Sequence, residues 1–264
     1  MEVLTLTWLG QSGFLLKSPW ISLACDLYLS DYCQKKSRID HTRKMPITVM
    51  PEQLPSIDHY LITHEHIDHF DPETVGPILR INTQTRFYCP PVCAKIIREY
   101  FAEKYLSFQL LQSMTEYHLT ADVRLLALPA AHERLEKDSA GEYIALSYLI
   151  LFDTMKKAVF FGGDTIPFAL QAQLIRDAVP SGYELIMVLP VNGRDNERAK
   201  LGFKGNLTLD EAIALYHECN AARLIPCHWG MFALNDLKAP LIPSYFTAKN
   251  CHCIIPEVNR QTEI

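Results

Sequence analysis

Three histidines and three acids crowd into the segment from His64 to Asp71, directly after the apolar run Tyr60-Leu61-Ile62. Neutral imidazole is a strong ligand for zinc and, beside carboxylate, for iron or manganese. Side chains alternate along an extended chain, so His64 and His66 can point the same way. Asp68 and His69 follow at the turn into a helix and can aim at a second point nearby. One short segment can therefore serve two adjacent ions, but a pair of ions needs more donors than it holds. Three later places offer them: His132 just past Ala127-Leu128-Pro129, Asp164 after Val159-Phe160-Phe161-Gly162-Gly163, and His228 after Leu224-Ile225-Pro226-Cys227. The paired glycines before Asp164 allow a tight backbone turn. Each of these residues alone would read as structural. Four ligand-type places in one chain, each at a strand exit, point to a metal centre.

The series His64-x-His66-x-Asp68-His69, then His132, Asp164 and His228, resembles the metallo-β-lactamase superfamily over about residues 3 to 230. The resemblance implies an α/β fold, a four-layer αββα sandwich with the site at one edge between the sheets. It implies His64, His66 and His132 on one divalent ion, Asp68, His69 and His228 on the other, and Asp164 bridging. Asp26, in Leu23-Ala24-Cys25-Asp26-Leu27, matches an acid the family uses to support the His-rich loop; a plain turn acid is the competing reading. His66 stands where oxygen-reducing di-iron relatives have Glu, which speaks against redox chemistry. Trp8 to Phe14, Asn192-Gly193-Arg194 and Pro226 to Phe232 further resemble the branch containing L-ascorbate-6-phosphate lactonase. Those lactonases are longer, and many relatives have His in place of Gln11.

Two divalent ions about 3.5–4 Å apart can share a water and bring its pKa toward neutrality, giving an activated hydroxide. Zinc or manganese is the expected metal, and iron accepts the same donors. Asp68 is the expected proton acceptor as well as a ligand, with Asp164 the other catalytic carboxylate. The loop from Val191 to Asn206 carries Arg194, Arg198, Lys200 and Lys204 ahead of a helix start, and could hold an anion. A solvated charged loop is the competing reading. Asn192, Arg194 and Asn206 are the candidate substrate-binding residues. The leading expectation is hydrolysis of a lactone or ester of a small phosphorylated sugar acid. A phosphodiesterase or nuclease on the same metals, and a non-catalytic metal-binding protein, are the alternatives. No Gly-x-Ser-x-Gly elbow supports serine chemistry. Gly10-Gln11-Ser12-Gly13 lacks the lysine of a phosphate loop and reads as a tight β turn.

Positioning such residues requires a sizeable core, and 264 residues with 48% hydrophobic side chains allow one. The chain is expected to form one domain over 1–264, since no linker-like stretch divides it. Strands are expected over 3–8, 13–16, 21–25, 59–63, 86–88, 123–128, 143–152, 158–161, 185–189 and 223–226. The apolar run 185–189 reads as a strand covered on both faces. Helices are expected over 72–80, 91–103 and 169–179, and from the capping box Thr208-Leu209-Asp210-Glu211 to about Cys219. Two β-rich then helical halves suggest two sheets with helices outside. Ser30 to Leu54 reads as an insertion loop.

A net charge of -5 argues against tight nucleic-acid binding. No apolar run approaches the ~20 residues of a membrane span. Without a signal-peptide layout at the start, a cytoplasmic address is expected. The 8 cysteines are too few for a disulfide scaffold. Cys89 and Cys93 read as reduced and buried, and Cys251-His252-Cys253 as part of a short β-like run. The expected partner is a small anionic molecule, and relatives in the branch often self-associate as homo-oligomers.

Overall fold

A computed structural model describes residues 3–264. Its strands are β1 (Thr5–Gly10), β2 (Gly13–Lys17), β3 (Ser22–Cys25), β4 (His59–Leu61), β5 (Arg86–Cys89), β6 (Phe108–Leu110), β7 (Glu116–His118), β8 (Val123–Pro129), β9 (Leu146–Phe152), β10 (Lys157–Phe161), β11 (Glu184–Pro190), β12 (Arg223–Cys227) and β13 (Gln261–Glu263). They form a 7-stranded sheet in the order β13-β1-β2-β3-β4-β5-β6 and a 6-stranded sheet in the order β12-β11-β10-β9-β8-β7. The helices are α1 (Tyr32–Lys36), α2 (Pro72–Ile81), α3 (Ala94–Tyr100), α4 (Gln171–Ala178), α5 (Asn196–Lys200), α6 (Leu209–Glu218) and α7 (Pro243–Ala248).

Side-chain alternation builds the layers. Along β9, Tyr148, Ile150 and Phe152 face the core between the sheets, while Leu149 and Leu151 face outward. Along β11, Ile186 and Val188 point inward, and Leu185, Met187 and Leu189 point outward. The outward residues pack on Ala172 and Ile175 of α4 and Ala212, Ile213 and Tyr216 of α6. The first sheet does the same, with Tyr60 and Phe87 facing Val75 and Ile78 of α2 and Ile97 of α3. The result is the expected four-layer αββα sandwich, whose apolar runs are strands buried on both faces.

Strand direction then fixes where the loops gather. β3 to β6 run parallel, so the chain leaves β3 and β4 at one edge. In the second sheet β8 and β10 each pair antiparallel with β9, and β10, β11 and β12 are parallel. The carboxyl ends of β8, β10 and β12 therefore share one edge. Leu146 N donates to Thr63 O across the sheets at 2.9 Å, which brings the two edges together.

Some boundaries differ from the expectation. Residues 91–103 are not one helix: a 3-10 turn at Pro91–Cys93 leads into α3, and Phe101 (φ -137°) ends it before a second 3-10 turn. Strand β9 begins at Leu146 rather than at residue 143. Cys251 to Ile255 is no strand; it makes a single bridge to Leu224, with His252 O and Ile254 N as partners. All 8 cysteines are free, and Cys89 and Cys93 are buried. The stretch 30–54 holds α1 and a 3-10 turn, and is otherwise irregular. No helix among the described residues is long and apolar enough to cross a membrane.

Candidate metal centre

The His-rich loop leaves β4 and is fixed before it reaches α2. Ile62 N still bonds Tyr88 O, and Tyr148 Oη donates to Ile62 O at 2.6 Å from the opposite sheet. His69 N and Phe70 N both bond His66 O, closing a tight turn, and Phe70 is fully buried among the outer helices. Asp71 then caps α2, accepting from Glu73 N at 2.9 Å.

Asp26 supports this loop from behind. Its Oδ1 accepts from Thr63 N at 2.8 Å, and its Oδ2 accepts from Thr63 Oγ1 at 2.6 Å. The same Oδ2 lies 2.7 Å from His69 Nδ1. Because Thr63 spends its hydroxyl proton on the carboxylate, its oxygen can only accept from His64 Nδ1, 3.0 Å away. Both rings are thereby turned so that Nε2 faces away from Asp26, the usual way an imidazole is oriented for a metal.

His132, Asp164 and His228 arrive at the same edge from β8, β10 and β12. Gly163 has φ +59°, and a Cβ there would come within 2.8 Å of Thr63 Cβ. The glycine thus lets Asp164 approach the first sheet closely. His228 itself has φ +59°, and its N–H bonds Gln11 O at 3.0 Å.

The side chains form two groups whose ligand atoms lie within 4.8 Å of one another: His64, His66, His132 and Asp164, and beside them Asp68, His69 and His228. Asp164 faces both. Its Oδ1 is 3.2 Å from His69 Nε2 and 3.4 Å from His228 Nε2, and its Oδ2 is 3.6 Å from His132 Nε2. His66 Nδ1 is 3.0 Å from His132 Nε2, and Asp68 Oδ2 is 3.5 Å from His228 Nε2. All seven predicted residues meet at one place.

This cluster is suited to metal ions. His64 Nε2 and His132 Nδ1 are buried without a hydrogen-bond partner, and His69 Nε2 and Asp164 Oδ1, though 3.2 Å apart, are buried without a well-formed one. Buried polar atoms are rarely left so, and cations held by the two groups would satisfy the nitrogens and the carboxylate oxygen that face them. Burial also drives His64, His66 and His132 below the ordinary histidine value, His132 to about 3. Their rings are therefore neutral at pH 7, the form that ligates metal. Burial pulls His69 and His228 the same way, but Asp164 and Asp68 more than reverse it, raising His228 to about 9. Against the opposing effect of burial, those two imidazoles hold Asp68 and Asp164 below the usual carboxylate range.

Gln11 is the residue that sequence reasoning did not place here. Its turn was expected, but not its aim: with φ +50°, it sets Nε2 2.8 Å from Asp68 Oδ2 and 3.0 Å from His228 Nε2. The three substrate-binding candidates are elsewhere engaged. Asn192 Nδ2 donates to Asn235 Oδ1, Asn206 Nδ2 donates to Asn192 Oδ1, and Asn206 Oδ1 accepts from Thr165 N. Arg194 makes a two-pronged pair with Glu211 at 2.6 Å and bonds Asn206 O. None of the three lines the cavity above the cluster. That cavity, of about 440 Å³, is lined instead by Lys36, His41, Phe203, Lys204 and Phe232 beside the ligands themselves.

A profile of the Beta-lactamase superfamily domain matches residues 31–229. An uncharacterized protein of Mycobacterium tuberculosis is 23% identical over 240 residues, covering 88% of this chain and 60% of its own length. This chain thus spans about 60% of that relative's length. N-acyl-phosphatidylethanolamine-hydrolyzing phospholipase D 1 of Caenorhabditis elegans is 29% identical over 84 residues, 32% of this chain and 24% of that protein. Among solved structures, a metallo hydrolase from Ignicoccus hospitalis superimposes with a TM-score of 0.70 at 18% identity, over 99% of this chain and 98% of that one.

Proposed function

The chain belongs to the β-lactamase superfamily, and from that we propose that it is a metal-dependent hydrolase working through two divalent ions. The observation that carries this reading is the meeting of seven ligand-type side chains, four of them with a buried atom that makes no well-formed hydrogen bond. In the proposed arrangement His64, His66 and His132 hold one ion, Asp68, His69 and His228 hold the other, and Asp164 lies between. When bound, the ions supply Lewis acidity and lower the pKa of water. Zinc, manganese and iron all suit this donor set.

The protein's own part is orientation and proton handling. Asp26 and Thr63 fix the rings of His64 and His69. Asp68 lines the cavity and is partly exposed, so its carboxylate can accept a proton from a water on the cavity side. Phe203, Phe232 and His41 give the cavity an aromatic wall beside the ligands, with His41 5.3 Å from Phe203 and 5.2 Å from Phe232, ring to ring.

The substrate we favour is a lactone or ester of a small phosphorylated sugar acid. Its support is the likeness of Trp8 to Phe14 and Pro226 to Phe232 to the ascorbate-phosphate lactonase branch. A phosphodiester is the second reading, favoured by the stretch similar to the Caenorhabditis elegans phospholipase D. Elemental analysis followed by a hydrolysis screen of lactones, esters and phosphodiesters tests both. Two equivalents of metal and turnover of a lactone or ester are expected. Turnover confined to phosphodiesters selects the second reading, and no bound metal overturns the whole proposal.

A further inference from the structure

The loop after β11 carries four cations, and the structure separates them. Arg194 is held by Glu211, Arg198 by Asp195 at 2.8 Å and Lys200 by Glu197 at 2.7 Å. Lys204 is different: it lines the cavity above the metal cluster, and no carboxylate among the described residues lies within 4.0 Å of it. Lys36, from the last turn of α1, lines the same cavity. It too lacks a carboxylate partner among the described residues; its ammonium rests 5.2 Å from the Tyr32 ring. The same cavity is lined by Phe203 and Phe232, with the His41 ring against both, and by the polar Glu65 and Asn235.

A pair of cations left unpaired beside a concave wall is a place for a negative charge that the protein does not itself supply. Aromatic faces next to it take the flat or apolar side of the same molecule. We propose that Lys204, assisted by Lys36, forms the subsite for the anionic group of the substrate, a phosphate or carboxylate, while Phe203 and Phe232 take its apolar face. The inference rests on the adjoining cluster being the reactive centre. It assigns to Lys204 the role first expected of Arg194, whose guanidinium is already occupied by Glu211.

The test is calorimetric binding of phenylphosphonate, and of neutral benzyl alcohol, to the full-length zinc-loaded protein. Lys204→Met is compared with Lys200→Met, which removes the same charge from the same loop outside the cavity. Lys204→Met is expected to weaken phenylphosphonate at least tenfold, in keeping with the loss of a charged hydrogen bond. Lys200→Met is expected to stay within twofold, Lys204→Arg to restore most of the affinity, and benzyl alcohol to be indifferent to all three. Equal weakening by Lys204→Met and Lys200→Met would show a general charge effect and overturn the subsite. So would unchanged binding in Lys204→Met, or no binding of phenylphosphonate to the wild type. Ester turnover is read separately: turnover with Lys204 irrelevant sinks the subsite and spares the hydrolase, and Lys204-dependent binding without turnover of any ester does the reverse.

Discussion

Each residue of the centre has a separable task. His66 and Asp164 are proposed to touch metal, so His66→Ala and Asp164→Ala should lose at least one equivalent of bound ion and all turnover. Their near-ultraviolet circular dichroism should match the wild type; a collapsed spectrum would instead make them structural. Asp26 acts through Thr63 and His69, so Asp26→Ala should weaken metal binding about 10–100-fold without removing any ligand. Competition with a chromogenic chelator measures this, and unchanged affinity would mean that the rings hold their orientation unaided. The ligand types were readable because imidazole and carboxylate at strand exits have few other uses in such numbers. Gln11 was not readable, because its aim depends on a left-handed turn and on partners that only the folded sheets bring near. Arg194 and Asn206 have chemistry that suits a ligand, and in the fold Glu211 and Thr165 engage them, partners that only tertiary contacts bring near.

At the scale of elements, local signals were trustworthy where one residue decides a terminus. Thr208 accepts from Glu211 N while Glu211 receives Thr208 N, the box expected from the sequence. Thr208→Ala should therefore cost about 1 kcal/mol in urea denaturation. The short strands β6, β7 and β13 were not read, because three residues carry no period of their own and these exist by pairing with their neighbours. The edge strand β7 is held partly by charge, since Arg124 of β8 bonds Glu116 of β7 and Asp153 just after β9, each at 2.7 Å. Arg124 pulls the Asp153 carboxyl below its ordinary value. A carboxyl depressed in the folded state stabilises above its unfolded value and stops doing so as pH falls through the folded one. The stability gap between wild type and Arg124→Ala should thus be present at pH 7 and shrink toward about pH 3. A gap independent of pH would place the effect in packing.

For the whole molecule, the αββα layering was legible because alternation and fully apolar strands specify both faces of each sheet. The wall of the cavity was not, since it depends on irregular stretches around His41 and Phe203 that carry no periodic signal. Ions that bind only the folded chain add to its stability by mass action, about 2.7 kcal/mol at a hundredfold excess over the dissociation constant. Chelation should therefore lower the melting temperature by several degrees and re-addition of zinc should restore it; an unchanged melting curve would mean that the cluster binds too weakly to matter.

The bond from Tyr148 Oη to Ile62 O crosses from one sheet to the loop of the other, as does that from Leu146 N to Thr63 O. His64 and its neighbours hang from one side of this seam, and His132, Asp164 and His228 from the other. The ligand cluster is thus a rivet through two plates. Any slippage between the plates, even one that leaves each intact, would pull the rivet apart, so that loosening this join would silence the protein well before it melts.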